Sequence, residues 1–164
     1  MGRAKKKLEK KNSKNRITSP SVKNKKAFFE FEILEKKVAG VILKGTEVKS
    51  IRKSQIKLEE SFVRIYKEVF LYGATIGKYE FGNRNNHDPK RVKKLLLNKR
   101  EILKWKAEAQ EKKLTIIPTR VFFKGSFVKL ELGLAKRKLK YDKRKELKEK
   151  SIKRELNREL KKYA

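Results

Sequence analysis

The sequence predicts a mainly β protein, a small closed barrel of the OB type with one inserted helix, and three observations lead there. Apolar and polar residues alternate with a period of two on both sides of the central region. A single stretch of helical spacing separates those runs. At 164 residues, the chain has room for one domain of about 100 residues, with a modest core, plus extensions. Closing such a set of strands removes exposed edges, which favours a barrel; an α+β sandwich is the alternative.

Residues 1–23 form a basic extension expected to be mobile, residues 24–134 the barrel, and residues 135–164 a basic tail. Within the barrel, Phe29, Phe31 and Ile33 alternate with Glu30 and Glu32, as a half-buried strand requires. Val38 to Leu43 makes a second, more buried strand in which Gly40 marks a bulge or a close backbone approach. Gly45-Thr46-Glu47-Val48-Lys49-Ser50 then reads as a polar strand end. Ser61–Tyr66 and Val69–Ile76 flank Lys67-Glu68 and predict a hairpin.

Asp88 suits a helix N-cap and Pro89 the first helical position, and Val92, Leu95, Leu96, Lys99, Ile102 and Leu103 follow at helical spacing toward Lys112. Thr115–Phe123 and the alternating Val128, Leu130, Leu132 and Leu134 close the domain through a turn at Lys124-Gly125-Ser126. From Lys143 onward the tail is rich in helix formers, and Ile152, Leu156, Leu160 and Tyr163 make only a thin apolar stripe. A helix of this kind is marginal in water, so the tail is expected to be disordered when free and helical when laid along RNA.

The formal net charge is +30, from 49 basic and 19 acidic residues, and the excess is spread as +10 over residues 1–26, +11 over 27–133 and +9 over 134–164. Such a chain repels itself unless a polyanion neutralises it. Nucleic acid fits better than a membrane: no apolar stretch can span a bilayer, and no terminal segment joins the charge to a wide apolar face. No secretory signal is visible, and the absence of Cys agrees with a reducing compartment, so a cytoplasmic location is expected.

Catalysis is hard to build from these residues. His87 is the only His, there is no Cys and no Gly-rich phosphate loop, and no carboxylates are spaced as metal ligands, so neither catalytic residues, metal nor cofactor is expected. Asn86-His87-Asp88-Pro89 is read as a loop organiser and helix cap, with a lone acid–base His as the lesser alternative. Basic residues interleaved with aromatics are the common signature of RNA binding, in which cations meet phosphates and rings stack on bases. Glu47, Lys49 and Arg52 form either an RNA-facing surface or a solvated strand edge. Of the three leucines Leu95, Leu96 and Leu97, at least one must face outward if the segment is helical.

Together these segments resemble the SmpB family. The matching order is Asn24-Lys25-Lys26-Ala27, Gly45 to Ser50, His87-Asp88-Pro89, Lys94-Leu95-Leu96-Leu97-Asn98 with Glu101, Ile117-Pro118, Gly133-Leu134-Ala135-Lys136 and Tyr141-Asp142-Lys143-Arg144. The resemblance implies an OB-type barrel that binds the tRNA-like domain of transfer-messenger RNA. It also implies a tail that turns helical in the empty messenger channel of a stalled ribosome, with EF-Tu and alanyl-tRNA synthetase as indirect partners through the RNA. Carried over by motif, Asn24, Lys26, Gly40, Glu47, Lys49, Arg52, Lys94, Leu96 and Asn98 would contact the RNA. Lys136, Lys138, Tyr141, Asp142, Lys143 and Arg144 would meet the decoding centre, and Leu160 would anchor the tail helix.

Val38 stands where the family usually has an acidic residue, Arg137 where it has Gly, and Leu139 where it has Lys. The Arg137 exchange predicts an altered hinge between barrel and tail. A basic ribosomal structural protein is the main rival reading, and an RNA-processing enzyme a distant third. Nothing demands a dimer, and a monomer is expected.

Overall fold

The computed structural model describes residues 20–82 and 86–160. Strand β1 (Val22–Lys23) leads through Asn24 into helix α1 (Lys25–Glu30), and the long strand β2 (Phe31–Val41) follows at once. Helix α2 (Gly45–Arg52) and strands β3 (Ile56–Lys57), β4 (Phe62–Ile65), β5 (Val69–Tyr72) and β6 (Thr75–Ile76) come next. Strand β7 (Lys93–Leu96), helix α3 (Lys99–Glu111), strands β8 (Thr115–Lys124) and β9 (Phe127–Arg137) and helix α4 (Lys140–Leu160) complete the order.

All pairings are antiparallel. β2 pairs with β9 from Phe31↔Arg137 to Gly40↔Lys129, β9 with β8, β8 with β4, β4 with β5, β5 with β7, and β7 with β2 again. The ladder that leaves β2 through β9 therefore returns to it through β7. β1 adds to β8, and β3 with β6 makes a separate two-stranded ribbon.

Between these strands lies the main core, and Ala27, Ile117 and Ala135 make a second, smaller cluster with Phe31 and Ile33. Ala39, Val63, Val69, Leu71, Leu95, Ile116, Val121, Leu130, Leu132 and Leu134 point inward from the strands, Ile51 enters from α2, and Trp105 enters from α3. Trp105 keeps its indole N–H satisfied by donating to the Glu35 carboxylate at 2.7 Å, as a buried ring of this type requires. Gly133 lets the strands approach: a Cβ there would lie 2.9 Å from Ile33 Cγ2 and 3.1 Å from Thr119 Cγ2. Pro118, which cannot donate to a ladder, sits where the β8–β9 register shifts, between Pro118 and Arg120.

The hairpin of β8 and β9 stands where the alternation puts it, turning at Gly125 with φ +61°, while that of β4 and β5 is shorter than expected: its second strand ends at Tyr72, and Thr75–Ile76 pairs with β3 instead. Other expectations are corrected. The chain has several helices rather than one. Residues 25–30 are helical because the Asn24 side chain caps them, so the alternation of Phe29 with Phe31 is not strand throughout. Phe31–Val41 is one strand rather than two, and its irregularity falls between Ile33 and Glu35 rather than at Gly40.

Gly45–Arg52 is a helix and not a strand end, because Glu47 at its third position accepts the Lys44 backbone N–H at 2.6 Å and closes the first turn. The Pro89 start of the later helix also fails: Lys93–Leu96 is strand β7, held between β2 and β5. Asp88 instead accepts the Lys90 N–H at 3.1 Å in a local turn. Helix α3 begins only after Asn98, whose N–H donates to Glu101 at 3.2 Å. The triple leucine is thus a strand end, with Leu95 buried and Leu96 exposed on opposite faces.

β9 extends past Leu134 to Arg137, with Ala135 buried, and Lys138 donates its backbone N–H to Glu30 at 3.0 Å. Arg137 pairs with Phe31 in extended conformation, which any residue adopts, so the expected change of hinge does not arise at this position. At the other end, Val22 and Lys23 belong to β1, while residues 1–19 lie outside the described residues. Among the described residues no helix is long and apolar enough to cross a membrane.

Candidate nucleic-acid interface

A buried polar frame holds α2 against the segment 87–93. Glu47, the third residue of α2, is 0 % exposed, and Arg91 grips it with both Nε (2.8 Å) and Nη2 (2.5 Å) while also reaching the Ile42 carbonyl at 3.2 Å. Such a two-pronged guanidinium–carboxylate contact satisfies the carboxylate and fixes its direction. His87 is buried beside it. Its Nε2 lies 3.2 Å from the Ile76 carbonyl, which can only accept, so Nε2 carries a proton, and Nδ1 lies 3.0 Å from the Thr46 hydroxyl.

Lys93 completes the frame. It is buried on the inner face of β7 and donates to the carbonyls of Ala74 and Pro89, the latter at 3.2 Å. Burial pushes its pKa below the ordinary lysine value, and the nearby negative charge of Glu47 works the other way. Buried charges kept in this way need partners, and here they tie a helix, a loop and a strand together.

Because the frame fixes α2, its outer face is fixed as well. Lys49 and Arg52 are exposed there, with the Lys49 ammonium 5.2 Å from the Tyr79 ring centroid and the Arg52 guanidinium 6.0 Å from that of Phe123. Around the ring of strands the pattern recurs: Arg120 stands over Phe122 at 4.9 Å and Lys36 over Phe28 at 5.3 Å. Cations beside ring faces offer both phosphate neutralisation and stacking.

The residues expected to touch RNA divide into two groups. Lys49, Arg52, Lys94, Leu96 and Gly40 are on or near the surface. Gly40 faces Leu96 across β2 and β7, where a Cβ would come within 3.3 Å of Leu96 Cβ, and Leu96 is 53 % exposed. Lys94 pairs with Glu68, and Lys26 pairs with Glu60 at 2.8 Å, a bond that raises the Lys26 pKa and lowers that of Glu60. Asn98 is exposed at the start of α3.

Two of these residues are buried and hydrogen-bonded within the fold. Glu47 is enclosed, for its oxygens are taken by Arg91 and the Lys44 N–H. Asn24 is buried with its amide donating to the carbonyls of Leu58 (2.8 Å) and Pro118 (3.0 Å), and its oxygen accepting from Ala27 N (3.1 Å). Every polar side-chain atom of both therefore has a partner within the protein.

In the tail, Lys136 and Arg144 are exposed, and Leu160 is 66 % exposed. The Lys138 ammonium reaches the Phe28 carbonyl at 3.4 Å. Tyr141, Asp142 and Lys143 fall in the first turn of α4, their side chains outside the described residues, as is Tyr163 altogether. Glu35, near Val38 on β2, accepts from the Trp105 indole N–H at 2.7 Å and pairs with Lys37 at 3.7 Å. Among the described residues no group of His, Cys, Asp and Glu is placed to hold a metal.

Arg91, Lys93 and Tyr79 were not singled out in the sequence. Reading residues 91–95 as strand would have put Arg91, Lys93 and Leu95 on one face, and a Lys on a buried face needs partners; the helical reading hid that signal.

A mainly β fold that carries exposed cations beside aromatic rings has the chemistry of a nucleic-acid-binding protein. Residues 21–162 match the family model described as SmpB protein. The SsrA-binding protein of Carboxydothermus hydrogenoformans is 50 % identical over 138 residues, covering 84 % of this chain and 93 % of that protein. The SsrA-binding protein of Persephonella marina is 50 % identical over 139 residues, covering 84 % and 91 %. A solved structure described as "tmRNA-SmpB: a journey to the center of the bacterial ribosome" is similar with a TM-score of 0.63 at 39 % identity, covering 74 % of this chain and 86 % of that one. The chain belongs to the SmpB family.

Proposed function

We propose that this chain binds the tRNA-like domain of transfer-messenger RNA and delivers it to stalled ribosomes for trans-translation. The observation that carries the reading is the family match over residues 21–162, together with relatives named for SsrA binding that align over nearly their whole length. The chain's own chemistry agrees with it: a formal charge of +30 and a fixed face of cations beside aromatic rings suit a structured RNA.

We read the returning strand ladder as an OB-type barrel, supported by β2 pairing with both β9 and β7. Lys49, Arg52, Lys94 and Leu96 are the contacting residues of this reading, with Gly40 giving the RNA room beside Leu96. Lys26 and Asn98 stand at its margin, while Asn24 and Glu47 position the surface from below. Residues 1–23 add charge. The tail from Lys136 onward occupies the empty messenger channel, with Lys138, Tyr141, Asp142, Lys143 and Arg144 at the decoding centre and Leu160 as an apolar anchor.

The protein acts as a monomer in the cytoplasm, without catalysis of its own, and EF-Tu and alanyl-tRNA synthetase meet it through the RNA. Truncation after Lys138, which spares β9, tests the division of labour. Binding to isolated RNA should persist and tagging of stalled peptides should vanish; equal loss of both would refute it.

A further inference from the structure

Beyond the residues assigned above, the turn at residues 79–82 exposes an aromatic ring for no structural reason. Phe81 is 74 % exposed, although the turn that carries it is tightly built. Gly82 N–H donates to the Tyr79 carbonyl at 2.9 Å, Asn86 Nδ2 donates to the same carbonyl at 2.7 Å, and Tyr79 N–H donates to Asn86 Oδ1 at 3.3 Å. A Cβ at residue 82 would lie 2.6 Å from Asn86 Nδ2 and 3.0 Å from the Tyr79 carbonyl, so a side chain there would disturb the Asn86 contact. The hydrogen bonds of Asn86 and Gly82 thus tie the turn that carries the exposed ring.

Cations surround it. The Phe81 ring meets Tyr79 edge-on, with centroids 5.6 Å apart and planes at 63°. Lys53 reaches both rings, at 5.3 Å from Phe81 and 5.5 Å from Tyr79, while bonding Glu80 at 2.7 Å. Lys49 flanks Tyr79 on the α2 side. Next to this cluster, a groove of about 500 Å³ runs along the β3–β6 ribbon, lined in part by Gln55, Lys57, Thr75 and Lys78.

We propose that Phe81 is a stacking platform for an unpaired base of the bound RNA, with Lys57 and Lys78 receiving the adjoining phosphates in the groove. This rests on the RNA-binding reading and extends it to a specific ring and subsite. A protein partner is disfavoured by the setting, because the centres of protein interfaces are depleted in lysine, whereas Lys49, Lys53, Lys57 and Lys78 dominate here. An exposed ring beside cations is what sequence-tolerant stacking on a nucleobase uses.

The test uses the full chain, with the tRNA-like domain of transfer-messenger RNA and ordinary tRNA as two separate ligands. Phe81→Ala should weaken binding about 5- to 150-fold on the RNA that is stacked, the range for loss of one base–ring contact. It should leave the slope of log K against log[salt] unchanged, since no charge is lost, whereas Lys57→Ala should flatten that slope. Phe81→Leu should remain weak, Phe81→Trp should restore affinity, and the new indole should be quenched as RNA is added.

Equal affinity of Phe81→Ala and the unaltered chain on both RNAs, or an unquenched Trp at residue 81, overturns the proposal. Failure of the underlying reading looks different, for the unaltered chain would then not prefer the tRNA-like domain over ordinary tRNA. The variants are compared on both RNAs, so the stacking claim is decided in either case. Thermal unfolding should be unchanged in Phe81→Ala, as the ring is exposed.

Discussion

Glu47 and Lys49, two residues apart on α2, look alike in the sequence as members of a charged pair, yet one is enclosed by Arg91 and the other stands free over Tyr79. Which role each has depends on the helix turning Glu47 inward, something that a strand reading of the same residues cannot reveal. Breaking a buried ion pair leaves an uncompensated charge, so Glu47→Gln should destabilise the fold by about 3 kcal/mol in urea unfolding, while Lys49→Ala should change it by no more than about 0.5 kcal/mol. Lys49→Ala should instead lower the salt slope of RNA binding by up to about 0.9.

Glu131 gives a pH test at the same scale. Burial would raise its pKa, but the Thr119 hydroxyl, Arg120 and Lys36 outweigh that and hold it below the usual carboxylate value of 4.5. Glu35 is held low chiefly by the Trp105 N–H. A depressed carboxylate contributes stability above its unfolded pKa and loses that contribution as pH falls through the folded one. Stability should therefore drop as pH falls below about 4.5, and Glu131→Gln should shallow that drop when unfolding is followed across the acid range.

Among elements, the hairpins were legible because alternation and a Gly turn act locally. The segment 88–97 was not, because its leucines satisfy helical spacing and strand alternation alike, and the pairing of β7 with β2 and β5 decides between them. Helices α1 and α2 are similarly set by caps, Asn24 below one and Glu47 within the other, and short capped helices leave little periodicity to read. The surface lysines of the interface were legible as charge. The enclosure of Asn24 and Glu47 was not, since it depends on Leu58, Pro118 and Arg91, far away in the chain.

α4 is the element least supported by the rest of the molecule. Its described side chains are exposed, and its apolar stripe of Ile152, Leu156 and Leu160 faces no core. Helices of this length are marginal in water on their own. Circular dichroism of the full chain minus that of the chain truncated after Lys138 should show little helix at 37 °C, rising on ribosome binding. A fully helical difference spectrum in the free protein would refute a tail that folds on its target.

At the scale of the whole molecule, the paired strands enclose the core and carry exposed cations beside rings, and the sequence adds a basic excess of +10 over residues 1–26 and +9 over residues 134–164. The charge gives attraction to any RNA, and on the reading proposed above selectivity is expected from the surface beside the buried frame of Glu47, Arg91, His87 and Lys93. This chain should thus prefer one folded RNA over others of similar charge. The most direct measurement is a binding titration against the tRNA-like domain of transfer-messenger RNA, with ordinary tRNA as competitor, at low and near-physiological salt. Tight binding that survives both the salt and the competitor is the predicted result; binding that collapses equally for both RNAs would reduce the interaction to polyelectrolyte attraction and contradict the account.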